Sequence, residues 1–133
     1  MAIEGLITRQ SNYTPAQTMQ RLMDALAKRG VPLLAHIDHA GAAAKAGLAL
    51  RPTDLLIFGN AKAGTPLMAK AQTMGIDLPL KALIWQDADG KTWLGYNDPA
   101  FLARRHGTEV GGEPVLSAMR DLLAAVTQEA TAG

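Results

Sequence analysis

Apolar and polar positions along the chain switch between a period of two and a period of about three and a half, and the switches predict the elements. Residues 3–10 read as a first strand with Leu6 and Ile7 at its centre. Thr14 then predicts a helix cap, with Pro15 at the first helical position and Gln17 reaching back to the Thr14 amide. Met19, Leu22, Met23 and Leu26 recur at helical spacing, and Gly30 and Pro32 stop the element, so the pattern predicts a helix over 14–29. Residues 33–38 alternate, with Leu33, Ala35 and Ile37 on one face and Leu34, His36 and Asp38 on the other. The alanine-rich stretch 40–47 predicts a short helix ending at Gly47. Leu55-Leu56-Ile57-Phe58 is too short an apolar run for a helix and predicts a strand buried on both faces.

Residues 59–64 read as a loop, after which Thr65 is expected to cap a helix with Pro66 at its first position and Gly75 at its end. Leu67, Ala71 and Met74 would form its inward stripe. Strands over 81–86 and 91–96 flank Asp87-Ala88-Asp89-Gly90, a hairpin signal that sets Trp85 against Trp93. Asp98 and Pro99 open a short helix ending near Gly107, Gly111-Gly112 is a break, and Pro114 starts a last helix. Val115, Met119, Leu122 and Val126 line the apolar face of that helix, and residues 127–133 are expected to fray. The order β-α-β-β-α-β-β-α-α, with an adjacent hairpin, predicts one α+β domain over 1–133. Its sheet, mostly antiparallel and of about five strands, is expected to pack on the helices at 14–29 and 113–129.

Composition narrows the function classes. A chain of 133 residues, 48% hydrophobic and 19% charged, has the makeup of a globular domain. It has no cysteine, which excludes disulfides, thiolate catalysis and zinc–thiolate sites. No apolar run approaches the ~20 residues that cross a bilayer, and residues 1–10 lack the pattern of a secretory signal, so the expected setting is cytoplasmic, with no membrane partner. The net charge is +1 and aromatics are 5%, with the basic residues scattered apart from short pairs such as Arg104–Arg105, so no nucleic-acid partner is expected.

Three segments carry candidate chemistry. In Gly59-Asn60-Ala61-Lys62-Ala63-Gly64-Thr65-Pro66 a strand leads through glycines into a capped helix, whose free N–H groups and dipole favour an anion. The segment lacks the Gly-Lys-Ser/Thr of a phosphate loop, and a plain strand-to-helix connection explains it as well. His36-Ile37-Asp38-His39 offers imidazole and carboxylate, suited to a metal or to a general base with its orienting acid. Spacing supplies no third ligand, however, so no metal site is assigned and the residues read equally as a polar strand end. Tyr96-Asn97-Asp98-Pro99 combines a helix cap at Asp98 with a phenol at Tyr96 that either faces a pocket or packs in the core. No serine nucleophile elbow and no dinucleotide fingerprint is present.

Taken in order, Ile37-Asp38-His39, the run from Leu50 through Asn60, Gly64-Thr65-Pro66-Leu67-Met68, Leu78-Pro79-Leu80-Lys81, Tyr96-Asn97-Asp98-Pro99 and Leu102-Ala103-Arg104-Arg105-His106 resemble the bacterial and archaeal family called domain of unknown function 302. The resemblance covers nearly the whole chain. It implies a small α+β domain with a curved sheet on helices and no settled activity or cofactor. The positions matching the family pattern are Asp38, His39, Asn60, Thr65, Tyr96 and Asp98, while Ala61 stands where the family often has proline. The first functional expectation is a module binding a small anionic ligand at Asn60, Gly64, Thr65, Tyr96 and Asp98, with the Asp38–His39 strand end beside them. The alternatives are a homodimeric interaction domain, joined by a sheet edge or the Trp hairpin, and a hydrolase or isomerase with His39 as base and Asp38 orienting it.

Overall fold

The computed structural model describes residues 2–108 and 113–133; the expected break at Gly111-Gly112 lies outside them. Five strands, β1 (Leu6–Ser11), β2 (Leu33–Asp38), β3 (Thr53–Phe58), β4 (Leu80–Gln86) and β5 (Thr92–Asn97), form one sheet in the order β1-β5-β4-β3-β2. Every pairing is antiparallel. The helices are α1 (Pro15–Lys28), α2 (His39–Lys45), α3 (Ala61–Lys70), α4 (Pro99–His106) and α5 (Glu113–Thr131), with a 3₁₀ turn at Gln72–Ile76 between α3 and β4. This is the α+β class and antiparallel sheet that the pattern predicts.

Local signals account for most element ends. Thr14 accepts from the Gln17 N–H at 3.1 Å while Gln17 accepts from the Thr14 N–H, also at 3.1 Å, so the capping box closes on both sides. Asp98 caps α4 through the Ala100 N–H at 3.0 Å. In the hairpin, Trp85 pairs with Trp93 as expected. Their rings lie nearly parallel, 18° apart, with centroids at 6.4 Å. Gly95 makes room for this: a Cβ there would stand 3.1 Å from Trp85 Cζ3.

The core lies between the sheet and α1 with α5. Leu22 and Leu26 of α1, and Leu123 and Val126 of α5, meet Leu56, Phe58, Ile84 and Leu94 of the sheet, and all are fully buried. Directly opposed residues of antiparallel strands share a face, so Leu56, Ala82 and Tyr96 look toward the helices. The apolar run of β3 therefore splits. Leu56 and Phe58 are buried, but Leu55 and Ile57 point to the other face of the sheet and are only half-buried. The expectation of two buried faces fails because both long helices sit on the same side.

Two other expectations are corrected. Thr65 caps nothing: α3 begins at Ala61, Asn60 is its cap, and Pro66 falls inside the helix. The Asn60 amide oxygen takes the Ala63 N–H at 3.1 Å, and the helix keeps that start although Pro66 has no N–H for the Lys62 carbonyl. Residues 127–131 do not fray. Thr127, Ala130 and Thr131 are buried, the Thr131 hydroxyl donates to the Thr127 carbonyl, and the Asn12 N–H donates to the Thr131 carbonyl at 2.9 Å.

Ionic contacts fasten α5 to α1. The Glu129 carboxylate meets Arg29 and Lys28, and Arg21 donates to the Glu129 carbonyl at 2.9 and 3.1 Å. Arg29 first, then Lys28, holds the Glu129 carboxyl down from its ordinary 4.5 to about 2. A depressed carboxyl contributes stability that is complete above its unfolded pKa and is lost as pH falls through the folded one. Melting curves of wild type and Glu129→Gln should therefore differ at neutral pH, with the variant lower. The gap should close between about pH 4.5 and about pH 2. A gap that stayed constant across that window would remove Glu129 as the titrating group.

Candidate functional site

Strand order decides which candidate residues meet. β3 ends at Phe58, which lies opposite Leu33 at the start of β2 and Leu80 at the start of β4. Asn60 therefore stands at that end of the sheet. Asp38 lies opposite Asp54 at the far end, and His39 follows it into α2. Six residues of strand separate Leu33 from His39, roughly 20 Å at the usual rise. The stretch around Asn60 and Thr65 and the imidazole of His39 are thus at opposite ends of the molecule, and the single pocket expected to contain both does not exist.

At the Asn60 end there is a cavity of about 630 Å³. Asn60, Gly64 and Thr65 line it from α3, Leu34 from β2, Leu78 and Leu80 from the approach to β4, and Met119 from α5. A neighbouring hollow of about 330 Å³ shares Gly59, Asn60, Ala63, Leu80 and Met119 with it. The two make one groove between α3 and α5, with Met68 and Pro79 completing an apolar lining. Among the described residues, no lysine or arginine lines either hollow. The polar atoms come from Asn60, Thr65 and the backbone at the start of α3, where a helix leaves its first N–H groups without intrahelical partners.

The remaining candidates lie elsewhere. Tyr96 lines a separate cleft of about 380 Å³ with Ile7, Ser117, Arg120 and Asp121. It is nearly buried, and burial pushes its phenol above the ordinary 10.0. Asp98 is engaged as the α4 cap and stands 3.8 Å from Arg120. Asp38 caps α2, accepting the Gly41 N–H at 2.8 Å, and His39 is exposed. The general-base arrangement of Asp38 orienting His39 therefore has its carboxylate committed to a helix cap.

Imidazole and carboxylate do meet at two places that spacing does not reveal. His36 bonds Asp54 across the β2–β3 pair at 2.8 Å. His106 Nε2 lies 2.6 Å from Asp77, and its Nδ1 lies 2.8 Å from the Thr73 hydroxyl. Arg105 donates to both Asp77 oxygens, at 3.0 and 3.1 Å. The His106 side chain is 7% exposed, and the cluster ties the 3₁₀ turn to the end of α4. The dipole argument placed His106 correctly at a helix carboxyl end but could not supply a partner 29 residues away.

The fold and groove together define a small two-layer α+β domain with a preformed apolar hollow at one end of its sheet. The chain belongs to the domain of unknown function family DUF302, whose family model matches residues 7–126. The crystal structure of an uncharacterized conserved DUF302 protein from Bacillus stearothermophilus has a TM-score of 0.84 to this chain and covers 96% of it and 99% of its own length. At 19% identity it is a likeness of fold. Among curated proteins, the chain is 43% identical over 115 residues to a fluoride-specific ion channel FluC 1 of Brucella suis, covering 86% of this chain and 45% of that protein. A FluC 1 of Brucella abortus is also 43% identical over 115 residues, with 43% of its length covered. The chain thus spans less than half the length of these curated relatives. Among the described residues, no helix is long and apolar enough to cross a membrane.

Proposed function

We propose that this domain binds a small ligand with an apolar body and one anionic or hydrogen-bond-accepting end. The observation that carries this reading is the 630 Å³ cavity, whose apolar walls open beside the amino end of α3. Its volume falls within the range of ligand sites, and a lining of this kind with few convergent polar groups is the usual makeup. The expectation of an anion is thereby narrowed. With no cationic side chain in the lining, a compact, strongly hydrated ion such as phosphate gains little there. A carboxylate carried on an alkyl chain fits better, its head at Asn60, Thr65 and the first turn of α3 and its tail against Leu34, Met68 and Leu80.

Ion conduction is not carried over from the longer relatives. This chain matches less than half of each, and its described helices do not span a bilayer.

Octanoate and inorganic phosphate distinguish the possibilities. A ligand that binds only the native state raises the melting temperature, by the equivalent of about 2.7 kcal/mol at a hundredfold excess over its Kd. Octanoate should raise it and phosphate should not. Gly64→Leu should abolish the octanoate effect by filling the groove. A Cβ at Gly64 meets Leu78 and Met68 at 3.5 and 3.6 Å, which is ordinary contact, and an unchanged far-UV circular dichroism spectrum should show that the variant folds. No shift with alkyl carboxylates of any length would sink the reading.

A further inference from the structure

From residue 32 to residue 51 the chain builds a strand and a helix with no core of their own. No residue in this stretch is buried. Yet the stretch is apolar where it is most open: Leu34, Ile37, Leu48 and Leu50 are 55, 40, 68 and 51% exposed. β2 is an edge strand, all six of its residues are exposed, and α2 buries none of its own. Free edges in lone proteins are usually blunted by charge or proline. Here the only charged residue within β2 is Asp38, at its end, and a register shift between Leu33 and Ala35 is the only irregularity. The end of α5 packs at the opposite edge, against the residues following β1, so it does not cover this side.

We infer that a second copy of this chain covers the β2–α2 side, making the protein a homodimer. Size supports a second copy. The stretch supplies about the 20 residues a side that a standard interface uses. Along this edge, counting both faces of β2, Leu33, Leu34, Ile37, Leu48 and Leu50 expose on the order of 450 Å², roughly half of the ~800 Å² each partner contributes to such an interface. Charge supports it as well. Asp38, Lys45 and Arg51 are the formal charges in the stretch, one negative against two positive, so no single-sign field draws a polyanion or an acidic membrane surface. A two-fold interface sets the same patch on itself, and a nearly neutral apolar patch tolerates that where a charged one would repel. Pro32 and Leu34 also line the cavity, so the second copy would border the groove.

Sedimentation velocity of the full chain at micromolar concentration tests this. Wild type should sediment as a dimer. The double variant Ile37→Glu/Leu48→Glu should sediment as a monomer, with Kd raised about 30-fold or more and its far-UV circular dichroism unchanged. Ile76→Glu, at 72% exposure and elsewhere on the molecule, should remain a dimer. Should the double variant misfold, amide exchange on wild type replaces it, and residues 33–38 should gain protection as concentration rises. A monomeric wild type, a dimer that survives the double substitution, a dimer lost in Ile76→Glu, or concentration-independent exchange in β2 would each overturn the inference. These outcomes are read from mass and protection, so they are independent of whether octanoate binds.

Discussion

Phe58→Ala should lose about 3–5 kcal/mol of stability, the usual range for removing a large aromatic from a packed core. Phe58 is fully buried at the end of β3, among the residues that join the sheet to α1 and α5. The neighbours that would have to collapse into the space are themselves held in place. Leu33 and Leu80 are its partners in the sheet, and the Gly59 N–H donates to the Pro32 carbonyl at 3.1 Å. A cavity that cannot close retains its full cost. Because the domain is small, such a loss is a large share of a typical total of 5–15 kcal/mol. Urea unfolding should show it as a lower midpoint with an unchanged slope. Ile76→Ala, at 72% exposure, should stay within about 0.5 kcal/mol of wild type. A loss under 1 kcal/mol for Phe58→Ala would mean that the core is not packed as described.

Gly5→Ala is the second substitution with a large expected effect, about 2–5 kcal/mol, from two separable causes. Gly5 has φ +77°, a region that costs any L side chain roughly 1–2 kcal/mol. The added methyl would also stand 2.4 Å from Phe101 Cδ2 and 2.5 Å from Cγ, so the ring must move bodily, and overpacking of this kind adds about 1–3 kcal/mol. The carbonyl of Gly5 accepts the Asp98 N–H at 2.8 Å, which holds the turn against the start of α4 and prevents it from swinging aside. Gly30→Ala separates the causes. Gly30 has φ +69° but nothing within 4 Å of its Cβ position, so it should show the backbone cost alone. Equal losses at the two glycines would argue against the Phe101 contact.

How far the sequence could be read depended on how far apart the interacting residues lie. Thr14 with Gln17 and Asp98 with Ala100 are settled within a few residues, and each was legible. α3 shows where a local rule misleads. Thr65-Pro66 looks like a helix start because proline favours the first helical position, but Asn60 offers an earlier cap, and the helix runs through the proline. In α5 Met119 and Val126 face the core as expected, but Leu116 and Leu123 are buried with them, while Val115 and Leu122, expected on that face, are only partly so.

The candidate site was legible only in part. Asn60, Gly64 and Thr65 share a cavity because they sit on one turn of chain. His39 was placed beside them without any knowledge that β2 runs antiparallel to β3, which carries it to the other end of the sheet. The Asp77–His106 contact depends on how the 3₁₀ turn packs on α4, and no spacing encodes it.

The indoles of Trp85 and Trp93 are the whole tryptophan content of the chain, and the backbone at Gly95 lets one lie flat over the neighbouring strand. Two near-parallel chromophores this close couple electronically. The protein therefore carries an intrinsic optical gauge of the hairpin alone, and following it beside the helical signal would show whether the β4–β5 ribbon melts together with the helices or ahead of them.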